Sequence, residues 1–264
     1  MACRIAKTRP TRFVGGVVFA ALVACTPAMA QIAAAQPEPL SKICQAGAAA
    51  DAEASPLPHV AAVLAQRKTL RILAMGAAPG RLGTHGGAYT DLIETMLERA
   101  LKGVDVVMIN RGVSGELAAN AAVRMKNEVA LDKPDLVLWQ VGTNDALAYV
   151  ETGQFALTVR DQIHWLKAHK VDVLLVGLQF AKEMQRDAHY IDIRETLRRV
   201  AAQENVIVVR FFEAMRIINA SAGAEPTAEE FEQSQSGYNC LAQYVARAIT
   251  LGVFAKDMPR PRQP

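Results

Sequence analysis

Few side chains in this sequence have both the type and the spacing that chemistry needs. Thr84 and His85 place a hydroxyl beside an imidazole in a glycine-rich run, the two groups a base-activated nucleophile requires. Sequence neighbours seldom aim both side chains at one atom, so the pair is weak ground for that reaction. Glu229 and Glu232, taken with Asp145, would supply the carboxylates that glycoside hydrolysis uses. The plainer reading is that Glu225, Glu229, Glu230 and Glu232 form an acidic, solvated loop. His164 and His169 stand five residues apart, whereas two imidazoles converging on a metal from one helix stand four apart. They read as surface or helix-end residues, and neither a metal nor another cofactor is expected. Gly142-Thr143-Asn144-Asp145 offers a carboxamide and a carboxylate, and equally suits a turn with a helix N-cap. Gly112-Val113-Ser114-Gly115 taken alone is a glycine-turned passage from strand to helix.

What these segments share is their placement. Short β-rich runs occur at Leu70–Met75, Val104–Asn110, Leu136–Val141, Val171–Leu178 and Val206–Phe212, most without the polar alternation of a half-exposed strand. Helical faces lie between them: Leu92, Met96 and Ala100; Leu117, Ala121, Met125 and Val129; Phe155, Val159, Ile163 and Leu166; Tyr190, Ile193, Leu197 and Val200; Leu241, Val245 and Ile249. Five strands, each followed by helical sequence, predict a doubly wound α/β sandwich with a parallel sheet. In such a sheet ligands bind beyond the carboxyl ends of the strands, where the strand order reverses. Three segments occupy such ends: Gly76-Ala77-Ala78-Pro79-Gly80 with Gly83, Gly86 and Gly87; Asn110 to Glu116; and Gly142 to Asp145.

In this order and spacing the three segments resemble the SGNH (GDSL-like) hydrolase family, traceable from about Leu70 to Ile249. The resemblance implies a flavodoxin-like sandwich with a five-stranded parallel sheet and an ester-cleaving Ser-His-Asp site. It also implies an oxyanion hole built from the nucleophile's N–H, a glycine N–H and an asparagine side chain. Gly115 falls on the family's glycine and Asn144 on its asparagine, while Gly237-Tyr238-Asn239-Cys240-Leu241-Ala242 resembles the start of its last helix. The triad does not carry over. The nucleophile position is Ala78, which has no atom able to attack a carbonyl, and no serine lies between Ser55 and Ser114. Counting back from Gly237 puts the base position at Glu232 and the acid position at Glu229. The five histidines are His59, His85, His164, His169 and His189, so none follows the fifth strand. Ser114 falls on the oxyanion side and has no matching base. Two readings follow: a non-catalytic relative that keeps a cleft for a small acyl- or carbohydrate-type ligand, or an esterase or deacetylase of envelope carbohydrate or lipid working through replaced residues.

The first thirty residues read as an address. Arg4, Lys7, Arg9 and Arg12 precede an uncharged run from Phe13 to Cys25, and Ala28-Met29-Ala30 ends it as a small-x-small cleavage site. This predicts a secretory signal peptide over 1–30 and a periplasmic location, with residues 31–57 a linker or loosely packed strap. The folded domain is expected over 58–253 and a disordered tail over 254–264. The alternative is a lipoprotein, since Leu22-Val23-Ala24-Cys25 resembles a lipobox that would place a lipid anchor on Cys25. No segment is long and apolar enough to be a transmembrane span. Of the four cysteines, Cys44 and Cys240 remain after cleavage, and an even pair in an oxidising compartment suggests one disulfide; two buried free thiols are the other reading. The whole chain has 29 Lys+Arg against 26 Asp+Glu, a net charge of +3. Residues 1–30 hold four of the basic residues and no acidic ones, so the remainder stands at −1. The apparent basicity belongs to the address, and with no recognition motif present a nucleic-acid partner is not expected.

Overall fold

Aliphatic runs that tolerate burial on both faces build the centre of the molecule. The computed structural model describes residues 37–48, 55–66, 68–76, 89–180, 183–222 and 235–255. Outside the described residues lie the expected signal segment with Cys25, the glycine-rich loop with Ala78, Thr84 and His85, the acidic stretch with Glu229 and Glu232, and the tail from Lys256. The strands are β1 (Thr69–Gly76), β2 (Asp105–Asn110), β3 (Leu136–Gln140), β4 (Asp172–Val176) and β5 (Ile207–Val209). All pair in parallel, in the order β2-β1-β3-β4-β5. This is the expected flavodoxin-like doubly wound sheet. Every residue of β3 and β4 is buried, whereas β2 at one edge is only partly covered. The order reverses between β1 and β3, which sets the switch point at their carboxyl ends.

The helices are α1 (Lys42–Gln45), α2 (Pro58–Gln66), α3 (Tyr89–Ala100), α4 (Ala118–Asp132), α5 (Thr143–Leu147), α6 (Thr152–Ala168), α7 (Ala188–Gln203), α8 (Phe211–Ala222) and α9 (Gln235–Phe254). One layer packs α9 against α3 and α2; the other packs α6 against α4 and α7. Their inner faces are aliphatic, such as Phe155, Val159, Ile163 and Leu166 on α6. Together they close one core around Trp139, Leu138 and Leu174.

Several expectations need correction. The fifth strand ends at Val209 and not at Phe212, because Phe211 and Phe212 start α8, where they, Ala214, Met215 and Ile218 are buried at helical spacing. Two adjacent aromatics suit either element, and α8 itself escaped the sequence reading. The fourth strand is likewise shorter than Val171–Leu178. On α3 Ala100 is buried as expected, but Ile93 and Leu97 are buried in place of Leu92 and Met96, which pack at the margin. Leu117 is the N-cap of α4 and not a helical residue. The described part of the strap is not loosely packed: Cys44 and Leu57 are buried, and the Leu57 N–H donates to the Gly252 carbonyl at 3.0 Å. At the other end α9 reaches Phe254, one residue into the expected tail. Cys44 and Cys240 are joined as a disulfide, with Cα atoms 5.3 Å apart.

Candidate functional site

Gly76 closes β1 at the switch point. Its φ of +88° is left-handed, and a Cβ there would lie 1.9 Å from the Gln140 carbonyl oxygen. Only glycine permits β1 and β3 to approach this closely just before the chain enters the segment with Ala78.

The segment after β2 is held from several directions. The Arg111 N–H donates to the Ala74 carbonyl and the Val113 N–H to the Gly76 carbonyl, each at 2.9 Å. The Asn110 side chain accepts from the Gly112 N–H at 2.9 Å, a local turn that asparagine favours. A turn from Val113 to Glu116 follows, closed by the Glu116 N–H on the Val113 carbonyl at 3.3 Å. Its third residue is Gly115, with φ +76°, and no heavy atom lies within 4 Å of the Cβ that glycine lacks. Backbone conformation demands glycine here, and the space above it is open. Ser114 beside it is exposed.

After β3, Gly142 (φ +105°) turns the chain into α5, and the Thr143 hydroxyl accepts from the Gln179 N–H at 2.9 Å, tying this turn to the one after β4. The Asn144 amide donates from Nδ2 to the Glu116 carbonyl at 3.0 Å. A carboxamide carries two N–H groups, so one remains to offer to a ligand. Glu116 directly follows Gly115. The two positions that the resemblance assigns to an oxyanion hole are thereby linked through one residue and one hydrogen bond.

Asp145, next in sequence, does something different. Its Oδ1 accepts from the Ala118 N–H at 2.9 Å, capping α4, whose own N-cap Leu117 has no side-chain acceptor. Asp145 is buried and its Oδ2 has no partner. Burial pushes its pKa above the ordinary aspartate value, against the lowering effect of the backbone N–H groups. The motif's carboxylate thus caps the neighbouring helix α4, while its own helix α5 starts at Gly142 with no side-chain cap, and Asn144 keeps one N–H beyond its bond to Glu116.

The described histidines give no base at this place. His59 lies 4.0 Å from Asp135, at the amino end of the sheet. His164 pairs with Glu204 at 2.7 Å, and His169 stacks on Trp165 at the end of α6. His189, on the first turn of α7, stacks on Tyr149 with ring centroids 5.1 Å apart, and its Nε2 is buried without a partner. Among the described residues no cluster of His, Cys, Asp or Glu could hold a metal, and no helix is long and apolar enough to cross a membrane. Ala78, Glu229 and Glu232 lie outside the described residues. Sequence reading missed Glu116 and Arg124, which ion-pair at 2.8 Å beside the donors. Their eight-residue separation spans a loop and a helix and matches no local charge pattern.

Comparison with known proteins agrees with this architecture. The model of the Non-GDSL lipase-like family matches residues 43–255. The chain is 30% identical over 112 residues to Esterase TesA of Pseudomonas aeruginosa, a match covering 42% of this chain and only 55% of that esterase. Among solved structures it is similar to the lipase/acylhydrolase from Enterococcus faecalis, with a TM-score of 0.58 at 24% identity, covering 69% of this chain and 95% of that one. It is also similar to Axe2, an acetylxylan esterase from Geobacillus stearothermophilus, with a TM-score of 0.56 at 17% identity, covering 68% and 94%. At such identities the structural likeness shows the fold alone.

Proposed function

Because the chain belongs to the Non-GDSL lipase-like family and has the SGNH hydrolase fold, we propose that it is an exported member of an ester-hydrolase lineage that binds its ligand without turning it over. One observation carries this reading: by the family resemblance Ala78 takes the nucleophile's place, and no histidine in the sequence follows the fifth strand. Acyl transfer of this kind needs a hydroxyl and a base to activate it. The donor side supports a retained cleft, since Gly115 keeps its left-handed turn and Asn144 keeps a spare N–H. Such donors suit a carbonyl or carboxylate oxygen. Val113, Leu147 and Tyr149 are exposed apolar side chains on these same two segments. They favour a small acyl- or carbohydrate-type ligand over a fully ionic one. Export rests on the tripartite N-terminal segment and on the disulfide, which belongs to an oxidising compartment such as the periplasm.

The competing reading is an active esterase or deacetylase of envelope carbohydrate or lipid. It draws on the Thr84-His85 pair, weak ground by itself, and on the esterase activity named for TesA. An oxyanion hole and binding alone leave some rate over water, but orders of magnitude below an intact triad. Small esters such as p-nitrophenyl acetate and butyrate fill little of a cleft, so with purified protein that residual rate should be lost in the buffer background. Turnover that disappears in Asn144→Ala or Thr84→Ala would overturn the non-catalytic reading; turnover that survives both points to a contaminating esterase.

A further inference from the structure

We propose that Arg124 is a positioning residue for the Gly115 and Asn144 donors, its single guanidinium fixing both the turn that carries one and the carbonyl that orients the other. The inference rests on the reading of those two residues as a donor pair. Arg124 projects from α4 into the bend made by the segment after β2. Its Nε donates to Glu116 Oε1 and its Nη2 to Glu116 Oε2, both at 2.8 Å, a two-point fork that an ammonium cannot reproduce. The same Nη2 donates to the Arg111 carbonyl at 2.7 Å, so the group grips both ends of the 111–116 segment. Its Nη1 reaches Glu128 at 3.3 Å, one turn along α4. The Glu116 side chain is 6% exposed and that of Arg124 27%, so this pair is shielded as exposed surface pairs are not.

The 2.9 Å bonds from the Arg111, Gly112 and Val113 N–H groups hold the start of the segment, not Gly115 or Glu116. The turn's own closing bond, from Glu116 to Val113, is long at 3.3 Å. The Arg111 side chain faces Glu128 and Asp132 on α4 and leaves its own carbonyl to Arg124. The Asn144 amide rests on the Glu116 carbonyl, so any displacement of Glu116 is passed to Asn144 as well as to Gly115. Losing the fork should free both donors together while leaving the sheet below intact.

The test is 15N relaxation of the purified, oxidised protein, read at the Gly115 backbone and the Asn144 side-chain amide. In the wild type both should be rigid, with order parameters near ~0.85. In Arg124→Gln both should fall below about 0.6, the flexible range. Arg124→Lys should not rescue them, since charge without the fork is not enough. Glu116→Gln breaks the same contact from the other side and serves if the arginine variants fold poorly. Val129→Ala, a buried change on the same helix, controls for loss of stability and should leave both signals rigid. Folded Arg124→Gln or Glu116→Gln protein with unchanged order parameters would overturn the proposal. Titration with butyrate tests the donor pair separately. If neither residue's resonance shifts in the wild type, the ligand-binding reading fails, while relaxation still decides the role of Arg124.

Discussion

Asp145 places one carboxylate oxygen on a helix N-terminus and leaves the other buried without a partner, and this should be visible in how stability depends on pH. Burial raises its pKa above the ordinary value of 3.8. From about pH 4 upward the unfolded chain has released a proton that the folded protein still holds, so stability falls as pH rises through this window and levels off above the raised pKa. Asp145→Asn keeps an acceptor for the Ala118 N–H and does not titrate. The wild type's advantage over the variant should be greatest near pH 4 and shrink towards neutral pH in urea unfolding. An advantage that grew with pH would mean the carboxylate is stabilised in its charged form. Asp172 is shifted in the same direction and also caps a helix, α2, by accepting from His59 and Val60, but it is present in both proteins and cancels. At this scale the sequence was legible in part. Asn144 and Gly115 could be singled out because a motif marks them. Glu116 and Arg124 could not, since their importance comes from the Glu116 carbonyl meeting Asn144 across 28 residues.

Around the carboxyl ends of β1 and β2, two glycines separate the requirement for space from the requirement for conformation. Gly115 has a positive φ but nothing near its missing Cβ, so Gly115→Ala should cost only the left-handed backbone, about 1–2 kcal/mol. Gly76 has a positive φ and a backbone oxygen 1.9 Å from where a Cβ would sit. That oxygen belongs to a buried strand and cannot rotate away, so Gly76→Ala adds overpacking of about 1–3 kcal/mol to the conformational cost. Urea unfolding should rank the two variants clearly, with Gly76→Ala the less stable; equal losses would mean that β3 yields to the new methyl group. The strands were legible because doubly buried strands read as nearly continuous apolar runs, as in residues 136–139 of β3. The end of β5 was not, because Phe211 and Phe212 satisfy a strand and a helix alike until α8 buries Met215 and Ile218 beside them.

For the molecule as a whole, the decisive feature is that its first described helix and its last are bonded together. Cys44 on α1 and Cys240 on α9 are 196 residues apart in sequence, so the bond closes nearly the whole described chain. In the chain-entropy model a loop of this length restricts the unfolded state by about 5 kcal/mol, while native disulfides commonly contribute about 2–4 kcal/mol. The pairing could be anticipated because removing the expected signal segment would leave an even pair of cysteines. The hydrogen bonds around it could not, since they depend on how the strap lies along α9. The Tyr244 hydroxyl donates to the Cys44 carbonyl at 2.6 Å, and the Gln243 carboxamide accepts from the Ser41 N–H at 2.7 Å. Neither contact uses a sulfur atom, so the native strap should stay docked when the bond is removed. The expected outcome for Cys44→Ala with Cys240→Ala is therefore a drop of about 2–4 kcal/mol in global stability by urea unfolding. Amide exchange at Cys44, Gln45 and Gly47 should become faster only in line with that global loss. Exchange in the strap far beyond the global change would show that the bond, and not the hydrogen bonds, holds α1 in place. Equal stability of reduced and oxidised wild type, with two free thiols titrated in both, would mean that the bond does not form in solution, removing one of the two supports for export.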